Sequence, residues 1–206
     1  MLLMDVDMLK KKLGVEAIER RWLGLHGISY YKIPSTLIIP DGCEKVGNYI
    51  FRCCWDIKRV IIPESVKEIG NEAFYNCAGL KKVVIPGSVE RIREDAFRWC
   101  DNMEELEISE GCKILETAAF NNCQSLKKVV IPESVEWIGY AAFMGCCKLE
   151  EVVIPESVER IENFAFGDCE DAIITLKRPE KDFEFLAATA FNGCKDVRYA
   201  KEKVGD

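Results

Sequence analysis

The sequence contains almost no histidine, which is the residue most often used for acid–base catalysis and transition-metal binding. His26 is the only histidine among 206 residues, and it lies outside the repeated part of the chain. No phosphate-binding loop or dinucleotide-binding glycine motif occurs either. The sequence therefore predicts a protein that is not an enzyme and needs no metal or cofactor.

Blocks of basic residues are also missing. The 28 lysines and arginines are outnumbered by 35 aspartates and glutamates, which gives a formal net charge of -7. Binding to a polyanion depends on clustered positive charge that releases condensed counterions. We therefore expect no nucleic acid among the partners.

The sequence also lacks long apolar runs. Charged residues recur every few positions, so no stretch approaches the roughly 18 apolar residues of a membrane helix. Asp5 and Asp7 interrupt the apolar start of the chain, and the lysines at 10–12 follow it, which is the wrong order for a signal peptide. The sequence predicts a cytoplasmic protein without membrane insertion. A secreted or cell-surface location is the alternative if an export signal lies outside this chain.

What the sequence does contain is a 23-residue repeat. Six segments align end to end without a gap, and three of them read VIIPESVKEIGNEAFYNC, VVIPESVEWIGYAAFMGC and VVIPESVERIENFAFGDC. The segments begin at Leu37, Val60, Val83, Leu106, Val129 and Val152. A period of this length is typical of a solenoid, in which each coil completes its core against its neighbours. We expect six coils over residues 37–174.

The two ends of the chain depart from the repeat. Residues 1–36 lack the period, but the spacing of Leu9, Leu13, Ile18 and Leu23 suits an amphipathic helix that caps the first coil. Residues 175–206 form a degenerate seventh coil and a C-terminal cap. This coil contains a two-residue insertion and places Lys177 where the repeat has isoleucine.

Each repeated position has a structural role. The isoleucine column suits the inward side of a strand, and the proline after it ends sheet pairing, with Ser109 as the exception. A second apolar column follows, and an Ala–Phe pair then places a stack of rings in the core. We expect the segment carrying this pair to be one helical or 3₁₀ turn. The columns are Ile39, Ile62, Ile85, Ile108, Ile131 and Ile154; Val46, Ile69, Ile92, Leu115, Ile138 and Ile161; Phe51, Phe74, Phe97, Phe120, Phe143 and Phe166.

Six of the eleven cysteines form another column. They are Cys54, Cys77, Cys100, Cys123, Cys146 and Cys169. We interpret them as reduced, buried thiols that bond to loop carbonyls. Disulfides between neighbouring coils are an alternative, whereas zinc would need about four ligands at one point and not along a line. Cys53 and Cys147 lie outside the column and are expected to be partly exposed.

The pattern LxxVxIPxSVxxIGxxAFxxC over residues 37–199 resembles the BspA-type, or Treponema pallidum-type, leucine-rich repeats. This resemblance implies an α/β fold: a right-handed solenoid with a parallel sheet on the concave side and short helical or 3₁₀ turns on the convex side. Members of that family are often surface or secreted proteins implicated in adhesion and protein binding. The resemblance therefore implies a binding role.

The outward positions of the expected sheet form the candidate site. One column is apolar except for Glu107, and charged residues run beside it. The candidate residues are Ile38, Ile61, Val84, Glu107, Val130 and Val153, with Lys82, Glu104, Glu105, Lys128 and Glu151. Two interpretations stand together: in-register pairing between strands, and a protein-binding patch with an acidic centre at Glu104, Glu105 and Glu107.

The function predicted from the sequence is a non-catalytic, monomeric protein-binding or scaffold module. The alternative is an adhesion or carbohydrate-recognition fragment of a surface protein, and a thiol enzyme or metal protein is a remote third. The aromatic residues Trp55, Trp99, Trp137, Tyr75 and Tyr140 share no register, so we expect them to be half-buried on the convex side.

Overall fold

The computed structural model describes residues 21–22, 29–30 and 35–200. Residues 35–200 form a β-solenoid of about seven turns built from parallel sheets. Before the solenoid, β1 (Arg21–Trp22) pairs antiparallel with β2 (Ser29–Tyr30). The helix expected in the N-terminal cap falls on residues outside the described part, apart from Arg21 and Trp22. The proposed boundaries of the two caps stay predictions.

One side of each coil carries a strand of three or four residues, and these longer strands stack in parallel. They are β3 (Thr36–Ile38), β5 (Arg59–Ile61), β7 (Lys82–Ile85), β9 (Glu105–Ile108), β11 (Lys128–Val130), β13 (Glu151–Ile154), β15 (Ile173–Leu176) and β17 (Asp196–Tyr199). The first five form one sheet and the last three another. We call their common outer surface the long-strand face.

A second side carries two-residue strands that form one seven-stranded parallel sheet. These strands are β4 (Lys45–Val46), β6 (Glu68–Ile69), β8 (Arg91–Ile92), β10 (Ile114–Leu115), β12 (Trp137–Ile138), β14 (Arg160–Ile161) and β16 (Phe185–Leu186). The second residue of each strand points inward and belongs to the second apolar column. The second apolar column of the repeat therefore lines the core behind this sheet.

The segment with the Ala–Phe pair is a series of turns, which differs from the helical or 3₁₀ turn expected from the sequence. In each of the first six coils this segment has two residues with positive φ, such as Glu72 at 51° and Asn76 at 54°. A helix cannot continue through left-handed residues. Backbone groups bond to the next coil instead, as the Phe74 N–H does to the Ala96 carbonyl at 2.8 Å. Among the described residues the one helix is a 3₁₀ turn at Glu180–Asp182, and none is α-helical.

The phenylalanine column is the stacked core predicted from the repeat. Adjacent rings from Phe51 to Phe166 lie 5.0 to 5.3 Å apart between centroids, with interplanar angles of 20° or less. All six rings are buried. Such offset stacking adds to the hydrophobic contribution of the buried rings.

The cysteine column bonds to this stack. The column thiols after Cys54, and the equivalent thiol of the seventh coil, each donate to the phenylalanine carbonyl of the preceding coil, with Sγ to O distances of 3.1 to 3.4 Å. They belong to Cys77, Cys100, Cys123, Cys146, Cys169 and Cys194. Burial raises the pKa of Cys146 to about 12. None of the eleven cysteines, all of which lie in the described part of the chain, forms a disulfide. Cys147 is exposed as expected, but Cys53 is buried, so that expectation was wrong for Cys53.

The structure of the seventh coil corrects the assignment of Lys177 to the isoleucine column, which was made from the 23-residue spacing. Ile154 pairs with Leu176, so the spacing here is one residue shorter than the repeat. Leu176 therefore fills the buried isoleucine column, and Lys177 points outward, where its Nζ lies 2.8 Å from Glu133 Oε1. The inserted residues come afterwards and include the 3₁₀ turn.

Candidate protein-binding face

The apolar column of the long-strand face is exposed, as the alternation of inward and outward residues predicts. Between 41% and 54% of each aliphatic residue is accessible in Ile38, Ile61, Val84, Val130 and Val153. Parallel pairing aligns Ile38 with Ile61, and Glu107 with both Val84 and Val130. We call these five aliphatic residues the apolar strip.

Glu107 interrupts the strip, and Lys82 binds it. Lys82 Nζ donates to Glu107 Oε1 at 3.0 Å and lies 2.9 Å from Glu105 Oε2. Hydrogen bonds to Glu105 and Glu107 raise the pKa of Lys82. One lysine thus bridges two carboxylates on the neighbouring strand.

The third carboxylate of the predicted acidic centre is also paired. Lys127 Nζ donates to Glu104 Oε2 at 3.0 Å, and this hydrogen bond lowers the pKa of Glu104. Pairing between adjacent strands, the first interpretation of these charges, is therefore what the structure shows. Glu104, Glu105 and Glu107 do not form an isolated negative patch, because each has a lysine partner.

Two remaining candidates, Lys128 and Glu151, border a groove of about 800 Å³ that extends beside the last four long strands, β11 to β17. Neither makes an ion pair with another described residue. The groove is lined by Lys127, Lys128, Lys148, Glu150, Glu151, Asp171, Ile173 and Lys195. It lies beside the coil that is one residue short, where Ile173 pairs with Glu151. Sequence reasoning missed this groove, although the shortened spacing was its signal.

The aromatic residues on the other sides do not form an open platform. On the short-strand sheet, the Arg160 guanidinium lies 5.9 Å from the ring centroid of Trp137 and 5.1 Å from that of Phe185. The cation thus lies between the two rings. Trp99, Tyr75 and Trp137 are half-buried as expected, whereas Trp55 and Tyr140 are exposed in different columns.

The remaining candidate chemistry is not assembled in the described part of the chain. No three or more metal-ligating side chains come together there. His26 lies outside the described residues, so a cysteine–histidine pair stays untested. Burial raises the pKa of the column thiols, whereas a nucleophilic cysteine requires a lowered pKa. Within the same residues no helix is long and apolar enough to span a membrane.

Comparisons with known proteins find similarity to other leucine-rich repeat proteins. The family model described as the BspA type leucine-rich repeat region matches residues 29–146 and 69–198, with six copies. A leucine-rich repeat protein from Eubacterium ventriosum superposes with a TM-score of 0.69 at 23% identity, over 84% of this chain and 50% of that one. A T. pallidum leucine-rich repeat protein gives a TM-score of 0.50 at 25% identity, over 83% and 76%.

The chain thus spans about half the length of the Eubacterium protein. None of the curated proteins compared with it matches.

Proposed function

The chain belongs to the family of BspA type leucine-rich repeat regions, and on that basis we propose that it is a non-catalytic protein-binding module that uses its long-strand face. Repeat scaffolds of this family are generally non-enzymatic. The observation that carries the proposal is the apolar strip: five aliphatic side chains at outward positions of the long strands, interrupted once by Glu107 and left accessible. An exposed apolar patch with a charged border is typical of a protein interface.

The charges beside the strip support a protein partner. Because Glu104, Glu105 and Glu107 already bind lysines, a partner that covers the strip does not have to neutralise three carboxylates. Lys128 and Glu151, which lack ion pairs within the described residues, are free to select the partner through complementary charge. We therefore expect the apolar strip to provide most of the affinity for the partner, and Lys128 and Glu151 beside it to provide specificity.

Cellular location is a second part of the proposal. Eleven cysteines without a disulfide favour a reducing compartment, so we propose a cytoplasmic location. The rival function is adhesion at a cell surface, because proteins with this repeat are often found there. The interposed Arg160 argues against a carbohydrate platform of stacked aromatic rings on the short-strand sheet.

The experiment first identifies the partner and then measures its affinity. A photo-crosslinking amino acid at Val130 should capture a protein from cells of the source organism that the same amino acid at Tyr140 does not. The Val84→Lys and Val130→Lys double variant should bind the purified partner at least about tenfold more weakly. A Tyr49→Lys and Tyr140→Lys variant, which alters two exposed residues elsewhere, should bind normally. Equal binding by both variants would contradict the proposal.

A further inference from the structure

The charges on the long-strand face are ordered in bands, because two consecutive residues at the start of each middle strand carry the same sign. The pairs belong to β7, β9, β11 and β13 in turn, and they are Lys81 and Lys82, Glu104 and Glu105, Lys127 and Lys128, and Glu150 and Glu151. All eight side chains are exposed. The sign of the charge therefore alternates across four consecutive strands.

Half of these charges are already paired within the chain, as Lys82 is with Glu105. The other half make no ion pair with another described residue, and they are Lys81, Lys128, Glu150 and Glu151. Two of these four are positive and two are negative. A partner that pairs with all of them must therefore present both signs in the same spacing.

The long-strand face is nearly flat. The stacked phenylalanine rings belong to the turn segments, on another side of the coils, and their centroids are 5.0 to 5.3 Å apart from Phe51 to Phe166. Paired strands lie about 4.8 Å apart. The two sides differ in length by only about half an ångström per coil, so the solenoid bends little. Two such faces can meet along several strands.

A two-fold axis that runs parallel to the strands, between β9 and β11, brings opposite charges of two copies together. It places β9 opposite β11 of the second copy and β7 opposite β13, with positions along the strands matched. Lys81 then faces Glu150 of the second copy, and Lys128 faces Glu105 of the second copy. Each of these contacts occurs twice, as in any two-fold interface.

Other axes do not give this match. Moving the axis one strand towards β7 places Arg59 opposite Lys128, which are like charges. Moving it one strand towards β13 leaves Glu105 opposite the apolar Ile173. An axis along the solenoid superposes each strand on the same strand of the second copy, so every charge faces its like. The axis between β9 and β11 is therefore the one that the charge pattern favours.

The groove beside β15 fits the same arrangement. The axis places β5 opposite β15, so that Arg59 faces Ile173 of the second copy. Arg59 is exposed and makes no ion pair with another described residue. Its aliphatic part can pack on Ile173, and its guanidinium can reach the groove carboxylates, which belong to Glu150, Glu151 and Asp171. The shortened coil thus leaves room for a side chain of the second copy.

We propose that the protein bound by the long-strand face is a second copy of this chain, related by the axis between β9 and β11. The apolar strips also meet, because Val84 faces Val153 of the second copy. This inference rests on the proposed function, since it names the partner of the same face. It differs from the monomer predicted from the sequence. Strands of three or four residues give a narrow contact, so we expect a dimer of low affinity.

Sedimentation equilibrium over a wide concentration range tests the proposal. Wild type should shift from 23.4 kDa towards twice that mass. Lys81→Glu and Glu150→Lys, each alone, place like charges opposite each other twice, and each should raise the dimer dissociation constant on the order of tenfold. An equimolar mixture of the two variants should dimerise within about threefold of wild type, because opposite charges then face each other at both contacts.

Lys113→Glu is the matched control, because it makes the same change at an exposed position beside the short-strand sheet. It should leave the dissociation constant unchanged, and circular dichroism should show that every variant is folded. A dimer that both single variants leave intact would overturn the proposal, and so would a mixture that does not recover.

A wild-type chain that stays at the monomer mass at the highest concentration would also overturn the dimer. Photo-crosslinking at Val130 then distinguishes the two proposals. Capture of a different protein would leave the proposed function standing and refute the second copy as the partner. Capture of nothing, together with a monomer, would contradict both.

Discussion

At the scale of single residues, the thiols differ in their access to solvent. Cys147 is exposed, whereas the column thiols are buried and their pKa is raised by burial. Because the thiolate is the reactive form, we predict that a brief pulse of alkylating reagent at pH 7.5 labels Cys147 alone. Mass spectrometry should then find eleven labelled cysteines after denaturation without reductant. Fewer than eleven would reveal disulfides, and rapid native labelling at Cys123 would contradict its burial.

Substitutions at two glycines distinguish two causes of lost stability: an unfavourable backbone conformation and a steric clash of the added Cβ. Gly42 and Gly145 have φ values of 82° and 75°. A Cβ at position 42 would meet open space, but at position 145 it would lie 2.5 Å from Asn122 Oδ1. We predict that Gly42→Ala lowers the free energy of unfolding by about 1 kcal/mol and that Gly145→Ala lowers it further. Urea denaturation measures both, and equal losses would refute the contribution of the contact.

At the scale of elements, the short-strand sheet is crossed by an ion-pair network centred on Glu68. Its carboxylate binds Lys45 and Arg93 from the two flanking coils. Burial raises the pKa of Glu68, but hydrogen bonds from Arg93 and Lys45 outweigh burial, and the net pKa is lowered. A lowered pKa in the folded state adds stability above the pKa of the unfolded chain, and this stability is lost as pH falls through the folded value.

We therefore predict that Glu68→Gln destabilises the protein at pH 7 and that its difference from wild type shrinks as pH falls below about 4.5. Urea midpoints measured at several pH values give this difference directly. The control is Glu90→Gln, which removes an exposed carboxylate that makes no ion pair with a described residue. A difference between Glu68→Gln and wild type that stays constant down to pH 3 would exclude the network as its cause.

The elements that sequence reasoning predicted are those fixed by the exact 23-residue period. An isoleucine or phenylalanine that recurs at one position must lie at one height in a stack, so the columns and the inward side of each strand followed directly. The turn segment was not predicted, because left-handed positions occupied by Tyr49, Ala118 or Phe164 carry no glycine signal. Lys177 was misplaced because one residue is missing before it, which a search for an intact period does not detect.

At the scale of the whole molecule, the candidate site was predictable in outline only. Alternation along the strands predicted that Ile38 and its equivalents face outward. Strand register also implied contacts between the charged columns, but the bridging of Glu105 and Glu107 by one lysine depends on side-chain conformations in three dimensions. The groove beside Ile173 arises where the period fails, so it became visible only once the coils were stacked.

The last prediction concerns the asymmetry of the array. In a solenoid each coil is stabilised mainly by its two neighbours, and Phe97 packs between two rings at 5.0 and 5.3 Å. Phe191 contacts one ring of the stack, that of Phe166 at 6.0 Å, and is partly accessible. We predict that Phe97→Ala costs roughly 3–5 kcal/mol of unfolding free energy and that Phe191→Ala costs clearly less. Urea denaturation measures both values. Equal losses would mean that the last coil is as well supported as the middle of the array, which its exposed core residues argue against.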